Sequence, residues 1–450
     1  MYRQVTKLDI KPHPIVNFLR SSVLQKAAHH LTQRKRVFLR LWLGQFVSAI
    51  GSRLTGFALG IWVYQQTSSV TQFALIYLCT YAPEILIAPF AGILADRWSR
   101  RWTMILGDSG AGLLTLAIAL LIWTSQTHRW LIYPILLARS SFMVVQATAF
   151  SATVSQLAPT RYWGQMSGLI QLAQAGSQIL APLLASLLLV AIQIQGILWI
   201  DFISFLISLV ILFTIKFAGH QSAASKITIL SDLHMSWQYL SQHRLLVRLL
   251  GLAIVMYFTL GALEVLFSPL ILSFASTTQL GIVISICGCG WLLGSVTMSA
   301  WGGFQNKIHG VLGSVTLQGF FLLLGGLKHS IVLAALGGFG YLFAYPIALS
   351  CAQTIWQSQV DSELQGRIFG MKRMIEHIPS MIAYLSMGAI AEQIFEPLLA
   401  EQGLLAGNVG VLIGTGSGRG IGFLFMILGL LNLIAVVIMT HLLKSPSLQE

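Results

Sequence analysis

The stretch Gly92–Asp108, GILADRWSRRWTMILGD, sets Asp96, Arg97, Arg100 and Arg101 between two runs that are each apolar enough to cross a bilayer. Its reading decides the fold. Either it is an ordinary polar loop, or it is a loop with a task of its own.

Composition comes first. Of the 450 residues, 56% are hydrophobic and 9% charged, and the mean hydropathy is +0.77. Soluble domains carry about 25% charged residues. A chain this long and this poor in charge cannot cover a globular surface with polar groups, so it reads as an all-α polytopic membrane protein. The net charge of +13 would suggest a nucleic-acid partner in a soluble protein. Here the basic residues lie at the ends of apolar segments and in the N-terminal region, as the positive-inside rule distributes them, and no nucleic-acid partner is expected. Cys79, Cys287, Cys289 and Cys351 all fall inside apolar runs and read as small core residues. Cys287 and Cys289 would point about 200° apart on a helix, which argues against a shared metal.

No cleavable signal is expected, because residues 1–36 are basic, interrupted by Pro12, His13 and Pro14, and lack an apolar core. A spanning helix needs about 20 mostly apolar residues. The chain offers twelve such spans, at 38–65, 71–95, 102–124, 130–157, 166–192, 196–217, 247–273, 278–301, 310–328, 330–356, 368–391 and 421–444. Lys and Arg concentrate in one set of connections, including Arg97, Arg100, Arg101, Arg161, Lys216, Lys226, Arg244, Arg248, Lys307, Arg367, Lys372, Arg373 and Lys444. The other set holds Arg129, Lys328 and Arg419. Both termini are therefore expected in the cytoplasm, and an even number of spans follows.

The expected organisation is a basic tail (1–36), a six-helix half (37–217), a linker (218–246), a second six-helix half (247–444) and a short tail (445–450). In the linker, Ile229, Leu233, Trp237, Leu240 and Leu245 mark an amphipathic interfacial helix. The halves echo each other. Gly92-x-x-x-Asp96-Arg97 follows the second span and Gly302-x-x-x-Asn306-Lys307 the eighth; Gly164-x-x-x-Gly168 opens the fifth and Gly366-x-x-x-Gly370 the eleventh. Duplicated halves point to a transporter with its substrate site at the midplane between them.

With these residues in view, the chain resembles the major facilitator superfamily. GILADRWSRR resembles that family's Gly-x-x-x-Asp-Arg-x-Gly-Arg-Arg signature after the second helix, with Ser99 in place of the second glycine. The stretches LWLGQFVSAIGSRLTGFALGIWVY, ILWIDFISFLIS, ELQGRIFGMKR and EQIFEPLL are most similar to drug:proton antiporters of the macrolide-efflux and enterobactin-exporter type. Arg139 keeps the family's fourth-helix basic position, beside Met143 where glycine is usual. The exporter motif of the fifth helix survives as Gly176, Ala181-Pro182 and Ala185.

The resemblance implies a cytoplasmic gate of Gly92, Asp96, Arg97, Arg100, Arg101 and Asp108, in which Asp96 sits on the N-terminus of the eleventh helix near Gln365, Gly366 and Arg367. A carboxylate so placed gains about 0.5–2 kcal/mol, suited to a gate that must also open. Asp108 is expected beside Arg100 or Arg101, and Asp201 at the interfacial start of its helix.

Ionisable residues at bilayer depth cost about 2.5–3.5 kcal/mol on insertion scales and mark function by default. Glu84 and Glu264 are the candidate proton-coupling acids, with Arg139 and Arg53 as modulators; a static Arg53–Glu264 pair is the alternative. If helices 1, 4, 7 and 10 line the cavity, Gln45, Ser48, Gln146, Tyr257, Tyr341, Tyr345 and Gln353 are its polar and aromatic residues, suited to an amphipathic molecule.

GTGSGRG (Gly414–Gly420) follows no strand and lacks a Gly-Lys-Ser/Thr end, so it is not a phosphate loop but a flexible or tightly turned outer loop. No ATP site, cofactor or metal site is expected.

The function expected is secondary active export of a small amphipathic molecule by alternating access and proton antiport, from a monomer in a bacterial inner membrane. Two alternatives stand beside it. One is siderophore export, with Arg53 and Arg139 on an anionic substrate; the other is a non-transporting sensor or scaffold on the same fold.

Overall fold

A computed structural model describes residues 14–87, 91, 98–124, 129–157, 163–215, 229–301, 303–361 and 364–444, with side chains over most of Val37–Leu443. Gly92, Asp96, Arg97 and Gly302 lie outside the described residues, as do the side chains of Gln365, Gly366 and Arg367.

The elements are helices, because a chain in hydrocarbon must satisfy its backbone internally. In order they are α1 (Pro14–Thr67), α2 (Val70–Leu86), α3 (Arg100–Thr124), α4 (Ile132–Leu157), α5 (Trp163–Ala191), α6 (Gln193–Thr214), α7 (Ile229–Gln242), α8 (Arg244–Leu272), α9 (Thr277–Trp301), α10 (Lys307–Gly326), α11 (Ile331–Gln359), α12 (Gln365–Ile390), α13 (Val409–Ile413) and α14 (Arg419–Lys444). Among the described residues ten helices are long and apolar enough to cross a membrane. Two shorter apolar stretches, Val70–Leu86 and Gly176–Ala191, stand where the second and fifth spans are expected. One difference from the sequence-based expectation is at the start. Within the stretch expected as a basic tail (1–36), α1 begins at Pro14, a residue whose fixed φ suits the first helical position.

Successive helices run antiparallel. One end of the bundle gathers the start of α8 and the end of α14, where Arg248 Nη1 donates to the Leu442 carbonyl at 2.8 Å. The start of α3 and the end of α6 meet there too, through Arg101 Nη2 and the Phe213 carbonyl at 2.8 Å. We call this the terminal end and its opposite the far end. Linker helix α7 lies at the terminal end: Leu240 is buried with Leu246, Leu250, Trp356 and Met371, while Met235 and Trp237 stay exposed. The Tyr239 hydroxyl donates to the Gln359 carbonyl at 3.1 Å.

Among the described residues, two large apolar cores form beside smaller clusters. Leu54, Leu59, Ile118, Leu136 and Ile197 centre the one within α1–α6. Leu266, Leu270, Val315, Tyr341 and Phe425 centre the one within α8–α14, and Ile61, Val70 and Ala74 reach across from α1 and α2 to join it.

Glycines set the closest helix approach. On α10, Gly319 and Gly326 stand seven residues apart; on antiparallel α14, so do Gly422 and Gly429. A Cβ on Gly319 would lie 2.8 Å from the Gly429 carbonyl oxygen, and one on Gly429 would lie 2.6 Å from that of Gly319. The backbones touch at both levels, the small-residue mode of membrane helix packing.

At the far end, α12 continues through a π-turn (Ala391–Phe395) into Glu396–Leu398. Glu396 then accepts from the Gly418 amide at 2.9 Å and the Ile421 amide at 3.0 Å, capping α14. Arg419 Nη1 donates to the Ile413 carbonyl at 2.6 Å and the Leu327 carbonyl at 3.3 Å. Partial burial, then Arg419, hold the His329 imidazole down, to about 4, as it stacks on Phe274. The glycine-rich run is thus a built turn, with Gly414, Gly416 and Gly418 at φ of 92°, 105° and 80°. There the Gly418 and Ile421 amides go to the chain's own carboxylate, and those of Gly414, Gly416 and Arg419 to backbone carbonyls.

Substituting Gly429 with Leu should push α14 off α10 and lower stability by about 1–3 kcal/mol, read as a drop in detergent melting temperature. Gly313→Ala, at a site with nothing within 4 Å of a new Cβ, should leave it unchanged.

Candidate functional site: a charged and aromatic seam

The first helix group contains two buried polar layers. In one, Arg139 Nη2 donates to Asp201 Oδ2 at 2.6 Å and to Ser52 Oγ at 3.2 Å, Arg139 Nε donates to Thr115 Oγ1 at 2.7 Å, and Ser52 Oγ reaches Asp201 Oδ1 at 3.3 Å. The guanidinium also lies over the Phe205 ring, 5.6 Å from its centroid. Gly51 lets α1 approach, since a Cβ there would be 2.9 Å from Asp201 Oδ1. Arg139 and Asp201 are 2% and 0% exposed. Asp201 is therefore not an interfacial helix-start residue: it sits inside the bundle because only there can it neutralise Arg139. Arg139, in turn, rests on Asp201 and not on Glu84 or Glu264.

In the second layer, Asp108 Oδ2 accepts from Ser208 Oγ at 2.7 Å and from Gln45 Nε2 at 3.4 Å. Gln45 Nε2 also donates to Ser208 Oγ at 2.9 Å, and Gln146 Nε2 donates to Gln45 Oε1. The helical turns after Arg101 carry Asp108 inward to this network, while Arg101 turns to the Phe213 carbonyl. The expected placement of Asp108 beside Arg100 or Arg101 gives way to a buried site served by neutral donors. Gln45 and Gln146 belong to it, and Ser48 is buried on the same helix.

The seam between α2 and the second group carries the other charges. The Tyr384 hydroxyl donates to Glu264 Oε2. Its ring lies 5.8 Å from Tyr81 and 6.2 Å from Tyr77. Arg53 is within electrostatic reach of Glu264 without a direct ion pair among the described contacts. Glu84 is not buried. Its side chain is 56% exposed and stands 3.8 Å from Arg373, itself 74% exposed.

Toward the far end the two groups close on each other. Glu392, in the π-turn, accepts at one oxygen from Ser69 Oγ (2.9 Å), the Thr71 amide (3.0 Å) and Thr71 Oγ1 (2.7 Å). It thereby caps the start of α2 from across the seam, a carboxylate on a helix N-terminus. Gly388 packs on this turn, since a Cβ there would lie 2.9 Å from the Thr71 Cα. Nearby, Gln65 Nε2 donates to Thr277 Oγ1 at 3.0 Å. On the other side of the bundle, α5 meets α9: Ser285 Oγ donates to the Ile179 carbonyl at 3.1 Å, and a Cβ on Gly281 would be 3.1 Å from the Pro182 carbonyl oxygen. Ala181, Pro182 and Ala185 are buried on the same helix.

Toward the terminal end lies a cavity of about 480 Å³ between α8, α10, α11 and α12. Its apolar wall includes Leu252, Met256 and Leu349; Tyr257, Gln353, Lys372 and Glu376 supply the polar groups. Of the residues expected to line a cavity, Tyr257 and Gln353 do so. Tyr341 and Tyr345 are 0% and 1% exposed and form its packed backing, with the Tyr341 and Thr259 hydroxyls 3.2 Å apart.

Two elements escaped the sequence. Glu392 lies one residue past the expected end of the eleventh span. The Lys372–Glu376 pair was visible as an i,i+4 spacing, but nothing in the sequence placed it in a cavity wall.

Replacing Arg139 with Met should leave Asp201 buried and unpaired, costing about 3–5 kcal/mol. The expected readout is loss of monodisperse protein on size exclusion, largely restored when Asp201 is also changed to Leu.

The Major Facilitator Superfamily profile matches residues 41–384. Macrolide efflux protein A of Streptococcus pyogenes is 22% identical over 370 residues, 80% of this chain and 90% of that one. The uncharacterized MFS-type transporter YfiS of Bacillus subtilis (strain 168) is 24% identical over 378 residues, covering 81% and 89%. Among solved structures, the nucleoside transporter NupG superposes with a TM-score of 0.72 at 13% identity, over 90% of this chain and 99% of that one. A bacterial homologue of the human lysosomal transporter Spinster, inward-facing and unoccupied, does so at 0.63 and 13%, over 90% and 94%.

Proposed function

The chain belongs to the Major Facilitator Superfamily and is a multi-pass membrane transporter, and on that premise we propose that it exports a small amphipathic molecule by alternating access. In this reading it has twelve spans in two halves, 37–217 and 247–444, and both termini are cytoplasmic in a bacterial inner membrane. It works as a monomer, with no ATP or cofactor.

One observation carries the reading. Glu392 and Gln65 join the two helix groups toward the far end, Glu84 and Arg373 approach each other across the seam nearer the terminal end, and the cavity lies toward the terminal end. In this reading, with the termini in the cytoplasm, the far-end contacts close the outer side and the cavity faces inward. Alternation then means parting the Glu392 contacts while the inner side shuts. Gly92, Asp96, Arg97, Arg100 and Arg101 are our candidates for that inner closure, with Asp96 seated on the N-terminus of α12.

Export is supported by the macrolide efflux relatives and by the small-residue contact of α5 with α9. Siderophore export with an anionic substrate is less well supported, because Arg139, one of its two expected arginines, is already neutralised by Asp201.

Proton coupling is assigned to Glu264, with Arg53 as its modulator and Glu84 as a second acid on the exposed side of the seam. Glu264 is held by a hydroxyl and sits where the two groups meet, so the alternation changes its surroundings directly. A carboxyl group that alternates between such environments is able to take up and release a proton.

In proteoliposomes with an imposed pH gradient, wild-type protein should drive accumulation of an amphipathic dye, and collapsing the gradient should abolish it. Glu264→Gln should lose gradient-driven flux yet retain binding. Flux that ignores the gradient would remove antiport from the mechanism.

Glu392→Ala should weaken the far-end closure by about 1–2 kcal/mol, raising the outward-open population roughly five- to thirtyfold. The measure is the rate at which an impermeant thiol reagent labels Ala74→Cys in a background lacking the native cysteines. Unchanged labelling would show that the contact does not hold the gate.

A further inference from the structure

The cavity wall contains a charge arrangement that the transport reading leaves unused. Both oxygens of Glu376 lie on a single ammonium, that of Lys372, at 3.0 and 3.1 Å. Glu376 is 6% exposed, and its hydrogen bonds among the described residues come from Lys372. Lys372, by contrast, has a second seat. Gln353 Oε1 is 3.4 Å from its Nζ, and the Trp356 ring centroid is 5.4 Å away. A cation over an indole face keeps part of its stabilisation there.

The two partners are therefore unequal. Lys372 is able to leave Glu376 and remain supported by an amide and an indole. Glu376 has no such refuge: parted from Lys372, it is a nearly buried carboxylate whose remaining counter-charge is Arg373, which makes no direct ion pair with it among the described residues, a state that costs several kcal/mol. An anionic ligand taking Lys372 would create that state. A cationic ligand on Glu376 would not, because it supplies the charge that Lys372 withdraws.

The remaining charges nearby do not reverse this asymmetry. Arg373, one residue along, leans toward Glu84 at 3.8 Å, and Arg53 stands by Glu264. His377, on the next turn, packs edge-on against Tyr257 with centroids 5.1 Å apart. Leu252, Met256 and Leu349 give an apolar body somewhere to lie.

We propose that Lys372 is a tethered stand-in for the substrate's head group, and that the cavity takes amphipathic cations whose charge displaces Lys372 from Glu376. The inference rests on the reading of this cavity as the substrate site and adds the sign of the substrate's charge. It gives Lys372 and Glu376 opposite roles, competitor and receptor, although they form one ion pair.

The test is equilibrium binding to the purified full-length chain with two probes of equal size and opposite charge, tetraphenylphosphonium and tetraphenylborate. Wild type should prefer the phosphonium. Glu376→Gln should weaken phosphonium binding on the order of tenfold or more, and Lys372→Met should tighten it by about the same factor. The double variant, which buries no unpaired charge, should bind both probes alike and serves as the folded control.

Three results would each overturn the proposal. One is tighter borate binding that Lys372→Met abolishes; another is phosphonium binding that Lys372→Met weakens as much as Glu376→Gln does. The third is a phosphonium preference retained in the double variant. Phosphonium flux is measured separately in vesicles. Binding that follows the expected pattern without flux would count against the transport reading alone, and flux with binding indifferent to both residues would count against this site alone.

Discussion

Hydrocarbon offers no partner to a polar group, so every charge this chain carries into the membrane must find its counterpart inside the protein. That constraint organises the structure more than any single apolar contact. Arg139 can lie in the bundle because Asp201 lies 2.6 Å away and Ser52 and Thr115 complete its donors' needs. The four helices that supply those side chains, α1, α3, α4 and α6, are thereby fixed in mutual register. The same demand draws Asp108 to Ser208 and Gln45, and Glu264 to Tyr384. The last of these crosses from α8 to α12 at the seam, where a polar contact is both structural and movable.

The division between fixed and movable follows from burial. The Arg139 and Asp108 layers lie within one helix group, closed off from the seam, and serve to hold it as a body. The contacts of Glu84 and Glu392 lie between groups, while the Glu264–Tyr384 bond lies within the second group beside the seam. Those involving Glu84 and Glu392 use hydroxyls, amides or an exposed arginine, partners that water can replace at modest cost. A transporter that must part its halves without unfolding them needs this contrast between dry internal pairs and exchangeable external ones.

Much of this was legible in the sequence, for identifiable reasons. Apolar run length marks helices, and the Lys/Arg asymmetry orders their ends, because both are one-dimensional consequences of a slab of hydrocarbon. Asp201 is not legible this way, because distance from a helix end does not give depth in the bundle, which is set here by where Arg139 lies on another helix. Glu84 differs in the opposite sense: it lies within an apolar run, yet its side chain is 56% exposed beside Arg373. The cap of Glu396 on α14 and the glycine register of α10 against α14 needed the third dimension, although the seven-residue glycine spacing on each helix was there to be read. The echo at Asn306 proved to be local. Its side chain accepts from the Ile308 amide at 3.0 Å and the His309 amide at 3.4 Å, capping its own helix.

The cap that Glu392 places on α2 also bears on how the molecule is made. Thr71 and its carboxylate are separated by 321 positions in the chain. A ribosome delivers α2 to the membrane long before α12 exists, so the start of α2 first meets the lipid interface with Ser69 as its own cap, through the Gln72 amide at 3.2 Å. The α1–α2 pair therefore enters the bilayer as a hairpin able to stand alone, joined by a two-residue turn in which Ser68 takes a φ of 51°. Its final anchoring waits for nearly the whole polypeptide to be synthesised. The Glu392 contacts are thus among the last that biogenesis can complete, and a chain stopped short of α12 would lack them entirely.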